Sequence, residues 1–122
     1  MKTNIFCEKT FRFGLAIIRL YKFMLSNKDY VLSRQILRSG TSIRANVNEA
    51  QAGASKKDFI AKLVISNKEA KENLYWLQLL KESQFLPYDY DSLIQDNPEL
   101  IRILTAIIKT SQENAPTPPT KN

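Results

Sequence analysis

A chain of 122 residues with 18 Lys and Arg against 12 Asp and Glu has the length of one domain and a net charge of +6. It has no histidine and one cysteine, Cys7, which excludes His-based zinc sites, Ser-His-Asp and Cys-His catalysis, the Glu-x-x-His di-iron site of helical bundles, and an internal disulfide. The longest apolar run, Gly14 to Ile18, is too short for an export signal or a membrane span, so a cytoplasmic, reducing location without membrane contact is expected.

Breakers are rare, with only 3 Gly, and none of the 5 Pro precedes residue 87. Long helices are therefore expected rather than strands, which need frequent turns. The first predicted helix runs from about Ile5 to Leu25. Phe13, Ile17, Leu20 and Met24 recur at helical spacing, and a second stripe, Phe11, Leu15, Ile18 and Leu25, lies beside them. Ser26-Asn27-Lys28-Asp29 reads as a polar turn.

A second helix is predicted from about Tyr30 to Ala52. Leu32, Ile36, Ile43, Val47 and Ala50 fall on one face, with Arg34, Arg38, Thr41, Ala45 and Asn48 opposite. Gly40 costs about 1 kcal/mol relative to Ala inside a helix. The apolar stripe nevertheless keeps its phase across it, which favours a continuous helix with a small-residue patch where a neighbour approaches closely. Gly53 suits the position just past this helix.

Ser55 is the expected cap of a third helix, with Asp58 in its first turn. That helix reaches about Ser83, with Phe59, Leu63, Ser66, Ala70, Leu74 and Leu77 facing inward at alternating spacings of four and three. Phe85-Leu86-Pro87 breaks the chain, and Asp89 to Gln95 reads as one or two turns. Asn97-Pro98-Glu99 reads as the cap and first turn of a fourth helix ending near Ser111, with Leu100, Leu104, Ile107 and Ile108 inward. Whether Pro98 starts this helix or kinks a longer one is open at this level. Residues 115–122, with Pro116, Pro118 and Pro119, read as a disordered tail to a bundle domain of residues 1–114. Short connections between sequential helices imply an all-α, antiparallel, up-down-up-down four-helix bundle.

Charge is concentrated early. Residues 1–52 hold nine Lys and Arg against three acids, whereas residues 85–122 hold three against five. The first two helices are thus the candidate anion-binding surface, with Arg12, Arg19, Arg34, Arg38 and Arg44 as phosphate contacts. A solvated face carrying ion pairs is the plainer reading of the same residues. Glu69 and Glu72, three residues apart, carry no acid–base or metal signal without a pocket or a histidine, and Arg38 is the expected ion-pair partner of one of them. Cys7 has no activating base and is expected to pack. No cofactor, metal site or catalytic set is indicated.

Apolar surface exceeds what a lone bundle hides. Leu74-Tyr75-Trp76-Leu77-Gln78-Leu79-Leu80 is apolar nearly all round its helix, making Tyr75, Trp76, Leu79 and Leu80 the candidate subunit interface.

Two stretches are more specific. One is Arg38-Ser39-Gly40-Thr41-Ser42-Ile43-Arg44-Ala45-Asn46-Val47-Asn48-Glu49-Ala50. The other comprises Ser55-x-x-Asp58-Phe59-x-x-Lys62-Leu63, Lys68-Glu69-Ala70-x-Glu72 and Tyr75-Trp76-Leu77-x-Leu79-Leu80. Together they resemble the bacterial four helix bundle proteins, also called 23S ribosomal-RNA intervening-sequence proteins, from the first helix to Glu99-Leu100. The resemblance implies a left-handed bundle, a ring-shaped homopentamer and no established enzymatic activity. Through the related accessory proteins of diversity-generating retroelements, it also implies binding of nucleic acid, RNA or DNA. The sequence departs at Arg44, commonly Gly in the family, and at Asn48, often acidic there. Both changes make the second helix more positive. The alternative expectation is a protein-interaction adaptor that holds a protein partner and no nucleic acid.

Overall fold

The computed structural model describes residues 2–114; the expected tail of residues 115–122 lies outside the described residues. Four helices follow in order: α1 (Lys2–Ser26), α2 (Leu32–Gln51), α3 (Lys56–Ser83) and α4 (Asp91–Glu113), with no strand among the described residues. Each helix packs on its neighbours in the cycle α1, α2, α3, α4, while the backbones of α1 and α3 do not approach closely, nor do those of α2 and α4. This is a four-helix bundle in which α1 and α3 lie on a diagonal. Partner numbers fall on one helix as they rise on the next. Arg38 meets Glu69 and Glu72 whereas Glu49 meets Lys62, and Asn67 meets Thr105 whereas Lys81 meets Asp91.

The inward stripes decide the packing. Phe13, Ile17, Leu20 and Met24 of α1 and Ile36, Ile43, Val47 and Ala50 of α2 are buried as their periodicity requires. Phe6 adds a core anchor about two turns before Phe13, and α1 begins at Lys2, ahead of the expected start at Ile5. Helix α2 does run through Gly40. A Cβ there would stand 2.6 Å from Cγ1 and 2.7 Å from Cγ2 of the fully buried Ile17, and 3.0 Å from Nδ2 of Asn73. The missing side chain is what lets α1 and α3 close on α2 at this level. Gly53 follows the Ala52 cap without a positive φ.

Turn chemistry sets the ends. At the end of α1, Lys28 takes φ 62°, its N–H donates to Leu25 O at 2.9 Å, and the Asp29 N–H donates to Met24 O at 3.0 Å. This left-handed cap satisfies two end carbonyls in the way glycine usually allows. Ser55 Oγ accepts the Asp58 N–H at 3.1 Å and caps α3, which ends at a left-handed Gln84.

Two inward assignments change. In α3 it is Asn73, not Leu74, that is fully buried, while Leu74 stays partly exposed. Helix α4 starts at Asp91 and carries Pro98 inside it, so Asn97 is not its cap. Pro98 removes one backbone donor, at a local cost of about 3 kcal/mol. The stripe Leu93, Asn97, Leu100, Leu104 stays buried and in phase across it, and tertiary packing outweighs the local preference. These buried asparagines join in one layer. Asn97 Nδ2 donates to Ala70 O at 3.0 Å and to Asn73 Oδ1 at 3.2 Å. Asn73 Nδ2 in turn donates to Ser39 Oγ at 3.1 Å. The layer ties α2, α3 and α4 at one height, because a shift of either helix would strand buried donors and acceptors.

Candidate nucleic-acid interface

The five arginines expected on one anion-binding surface fall into two groups. Three already have partners within the chain. Arg44 Nε donates to Asn48 Oδ1 at 2.6 Å, its Nη1 donates to the Cys7 carbonyl, and its guanidinium lies 5.6 Å from the centre of the Phe11 ring. It is a strut between α2 and α1. Arg44 and Asn48 thus join in one hydrogen bond. Arg12 pairs with Glu8 one turn back on α1 at 2.5 Å. Arg38 pairs with Glu69 at 2.8 Å and with Glu72, the cross-helix contact anticipated from sequence, and Glu72 also accepts the Trp76 indole N–H at 3.1 Å. Glu69 and Glu72 are therefore both held in ion pairs.

Along the α1–α4 seam, Lys9 Nζ meets Glu99 Oε1 at 2.9 Å, and Arg102 reaches the other oxygen at 3.7 Å. The hydrogen bond and charge of Lys9 hold the Glu99 carboxyl below the usual carboxylate range, with a smaller contribution from Arg102.

The remaining two, Arg19 and Arg34, are exposed, and neither has an ion-pair or hydrogen-bond partner among the described residues. Lys22 and Lys28 share that state and join them where α1 turns into α2. Arg19 sits about 10 Å along the axis from the end of α1, by helical rise. The acid of this turn, Asp29, is engaged elsewhere: its Oδ2 accepts the Ser33 N–H at 2.7 Å and its carbonyl accepts the Ser33 hydroxyl at 2.8 Å. Its charge complements the positive start of α2. The last two turns of α1, the connection and the first turn of α2 therefore carry four cations without a carboxylate paired to them. Chemically these cations can bind an anion.

Sequence reasoning missed a second group of unpaired cations. Lys68, Lys71 and Lys109 rim a groove of about 410 Å³ between α3 and α4, floored by Val64 and Ile108. Charge per segment could not reveal it, because the flanking acids Glu69 and Glu72 sit on the α2 side of α3.

Exposed apolar residues also form two sets. On α1, Phe11 (55% exposed), Leu15 and Ile18 border a groove of about 270 Å³ shared with Thr41, Ala45 and the Arg44–Asn48 pair of α2. On α3, Tyr75 (56% exposed) and Leu79 stand outward as expected, joined by Val64 and Ile65, which were not foreseen. Leu80 is only 2% exposed and belongs to the core, so it is not available to an interface. Trp76 lies partly buried against that core. Cys7 packs beside Phe6, with Gln51 Nε2 3.2 Å from its sulfur.

No described cluster of three or more Cys, Asp or Glu residues is placed to hold a metal ion. Within the described residues, no helix is long and apolar enough to cross a membrane.

Comparison with known proteins covers most of this architecture. The sequence model of the 23S rRNA-intervening sequence protein family matches residues 2–106. The chain is similar to a crystal structure from Bacteroides thetaiotaomicron VPI-5482, a protein of unknown function from the S23 ribosomal protein family. The two share 45% identity over 89% of this chain and 99% of that one, with a TM-score of 0.84. No curated protein matches.

Proposed function

We propose, from the premise that the chain belongs to the 23S rRNA-intervening sequence protein family, that it is a non-enzymatic, self-associating scaffold that binds RNA or DNA through the α1–α2 turn. The observation that carries the reading is the sorting of cations: Arg19, Lys22, Lys28 and Arg34, spread over the last two turns of α1, the connection and the first turn of α2, have no protein partners among the described residues, while Arg38 and Arg44 brace the bundle and Arg12 pairs with Glu8 on the surface of α1. Unpaired cations along a surface are what phosphate binding requires.

Self-association is supported by the two apolar sets. They lie on α1 and α3, the diagonal helices, and so face away from each other. Two different patches on opposite sides favour a head-to-tail contact, which closes into a ring when the rotation allows, consistent with a homopentamer. The interface residues of this reading are Tyr75, Leu79, Val64 and Ile65 against Phe11, Leu15 and Ile18.

A salt series of gel shifts with RNA, duplex DNA and single-stranded DNA tests the binding. Each phosphate contact should contribute a logarithmic slope of about −0.9 on duplex and about −0.7 on single strands. Salt-independent affinity, or no binding at low salt, contradicts the reading. Light scattering tests the assembly, and a monomer at high concentration discards it. The lysine-rimmed α3–α4 groove favours a second reading, an adaptor for an acidic protein. Retention of a protein partner from nuclease-treated lysate, with no affinity for nucleic acid, would select it.

A further inference from the structure

The α1–α2 turn holds more than charge. Tyr30 is 56% exposed and Val31 is 74% exposed, at the connection where polar residues normally stand. Neither belongs to the hydrophobic core. Nearby, Lys28 occupies a left-handed conformation, φ 62°, that glycine adopts without steric penalty. Asp29 is hydrogen-bonded to Ser33 and forms no ion pair with the neighbouring cations. An aromatic ring, an aliphatic edge and the unpaired Lys28 thus occupy one short connection, with Arg34 in the first turn of α2 beyond it.

We propose that this turn recognises unpaired bases, with the Tyr30 ring stacking on an exposed base while Lys28 and Arg34 hold the adjoining phosphates; this rests on the nucleic-acid reading above and specifies its ligand as single-stranded. In a duplex the base faces are covered by their neighbours, and a turn aromatic meets only the backbone. In a single strand every base offers a face, and stacking on an aromatic side chain adds to phosphate contact without sequence readout. The turn inserts no helix or strand into a groove, so duplex binding draws on phosphate contacts alone.

The test is a fluorescence-anisotropy titration of the full chain with a labelled thymidine homopolymer, a labelled duplex, and vesicles of anionic phosphatidylglycerol, at one fixed salt concentration. The variants are Tyr30→Ala, Tyr30→Phe and Lys28→Gly. Because Tyr30 is exposed, its variants should keep the helical circular dichroism and thermal midpoint of the parent. The expected result is a loss of roughly tenfold in single-strand affinity for Tyr30→Ala, a duplex affinity unchanged within twofold, and near-parental behaviour for Tyr30→Phe. Lys28→Gly should weaken both probes by a few-fold. If the parent binds both nucleic acids and Tyr30→Ala changes neither, or lowers both equally, the single-strand inference fails and the broader reading stands. If the parent binds neither, both fail. Vesicle binding lost in Tyr30→Ala with nucleic-acid affinity intact would assign the turn to a lipid surface and overturn the inference.

Discussion

The two ends of the α1–α2 pair carry arginines of the same type in opposite states. Toward the α1 N-terminus, Arg44 is drawn into the fold by Asn48, the Cys7 carbonyl and the Phe11 ring, and Arg12 is paired with Glu8 on the surface of α1. Toward the turn, Arg19 and Arg34 stand in solvent with Lys22 and Lys28, and the adjacent acid is occupied in capping α2. The contrast teaches that net charge per helix is a poor guide to an anion site. What matters is whether each cation's hydrogen-bonding capacity is already satisfied, which depends on the neighbouring helix.

Four predictions would break or sharpen this contrast. The largest effect is expected midway between the ends. Gly40→Ala should lower stability by about 1–3 kcal/mol in chemical denaturation despite alanine's better helix propensity, because its methyl meets the fully buried Ile17. An unchanged midpoint would mean that the close approach of α1 to α2 does not organise the pair. Next, Arg44→Ala should cost about 1–2 kcal/mol through the lost charged hydrogen bonds and ring contact. Arg19→Ala and Arg34→Ala should each stay within about 0.5 kcal/mol of the parent. Equal losses at both ends would erase the distinction.

Smaller still, Lys28→Gly should raise stability by about 0.5–1 kcal/mol, since glycine takes φ 62° without a Cβ penalty. A loss instead would show that the lysine stem packs to advantage. The smallest effect is pH-dependent. Lys9 lowers the folded-state pKa of Glu99, so the folded chain binds fewer protons there than the unfolded one. The pair's contribution is present above the unfolded carboxylate pKa and is lost as pH falls through the folded one. Thermal midpoints of the parent and Glu99→Gln should therefore differ at neutral pH and converge in acid. A gap that persists in acid assigns the difference to something other than this charge.

Much of the fold was legible because it depends on periodicity. The stripe Ile36, Ile43, Val47, Ala50 held its phase across Gly40, and the helix is continuous there. Ser55 announced its own helix start, and Arg38 found Glu69 and Glu72 because facing helices bring such charges together. The failures come from long-range partners. Asn97 read as a cap and Asn73 stood outside the expected inward stripe, because the hydrogen bonds that each donates when buried go to atoms on another helix. Pro98 left the start of α4 open, because its local cost is visible in sequence and the core stripe that outweighs it is less so. Leu80 looked free because its segment is apolar all round, and only packing decides which side is covered. For the site, the abundance of cations was legible. Which of them remain unpaired was not, since Arg44 is engaged by a backbone carbonyl that carries no sequence signature.

The central claim is most directly tested by salt-dependent binding of one labelled oligonucleotide to the parent and two double variants, Arg19→Ala/Arg34→Ala and Arg12→Ala/Arg44→Ala. The account predicts that the first pair lowers affinity by roughly tenfold and reduces the salt slope by roughly one to two, while the second leaves the slope unchanged. A slope that falls with Arg12 and Arg44 and not with Arg19 and Arg34 would contradict it.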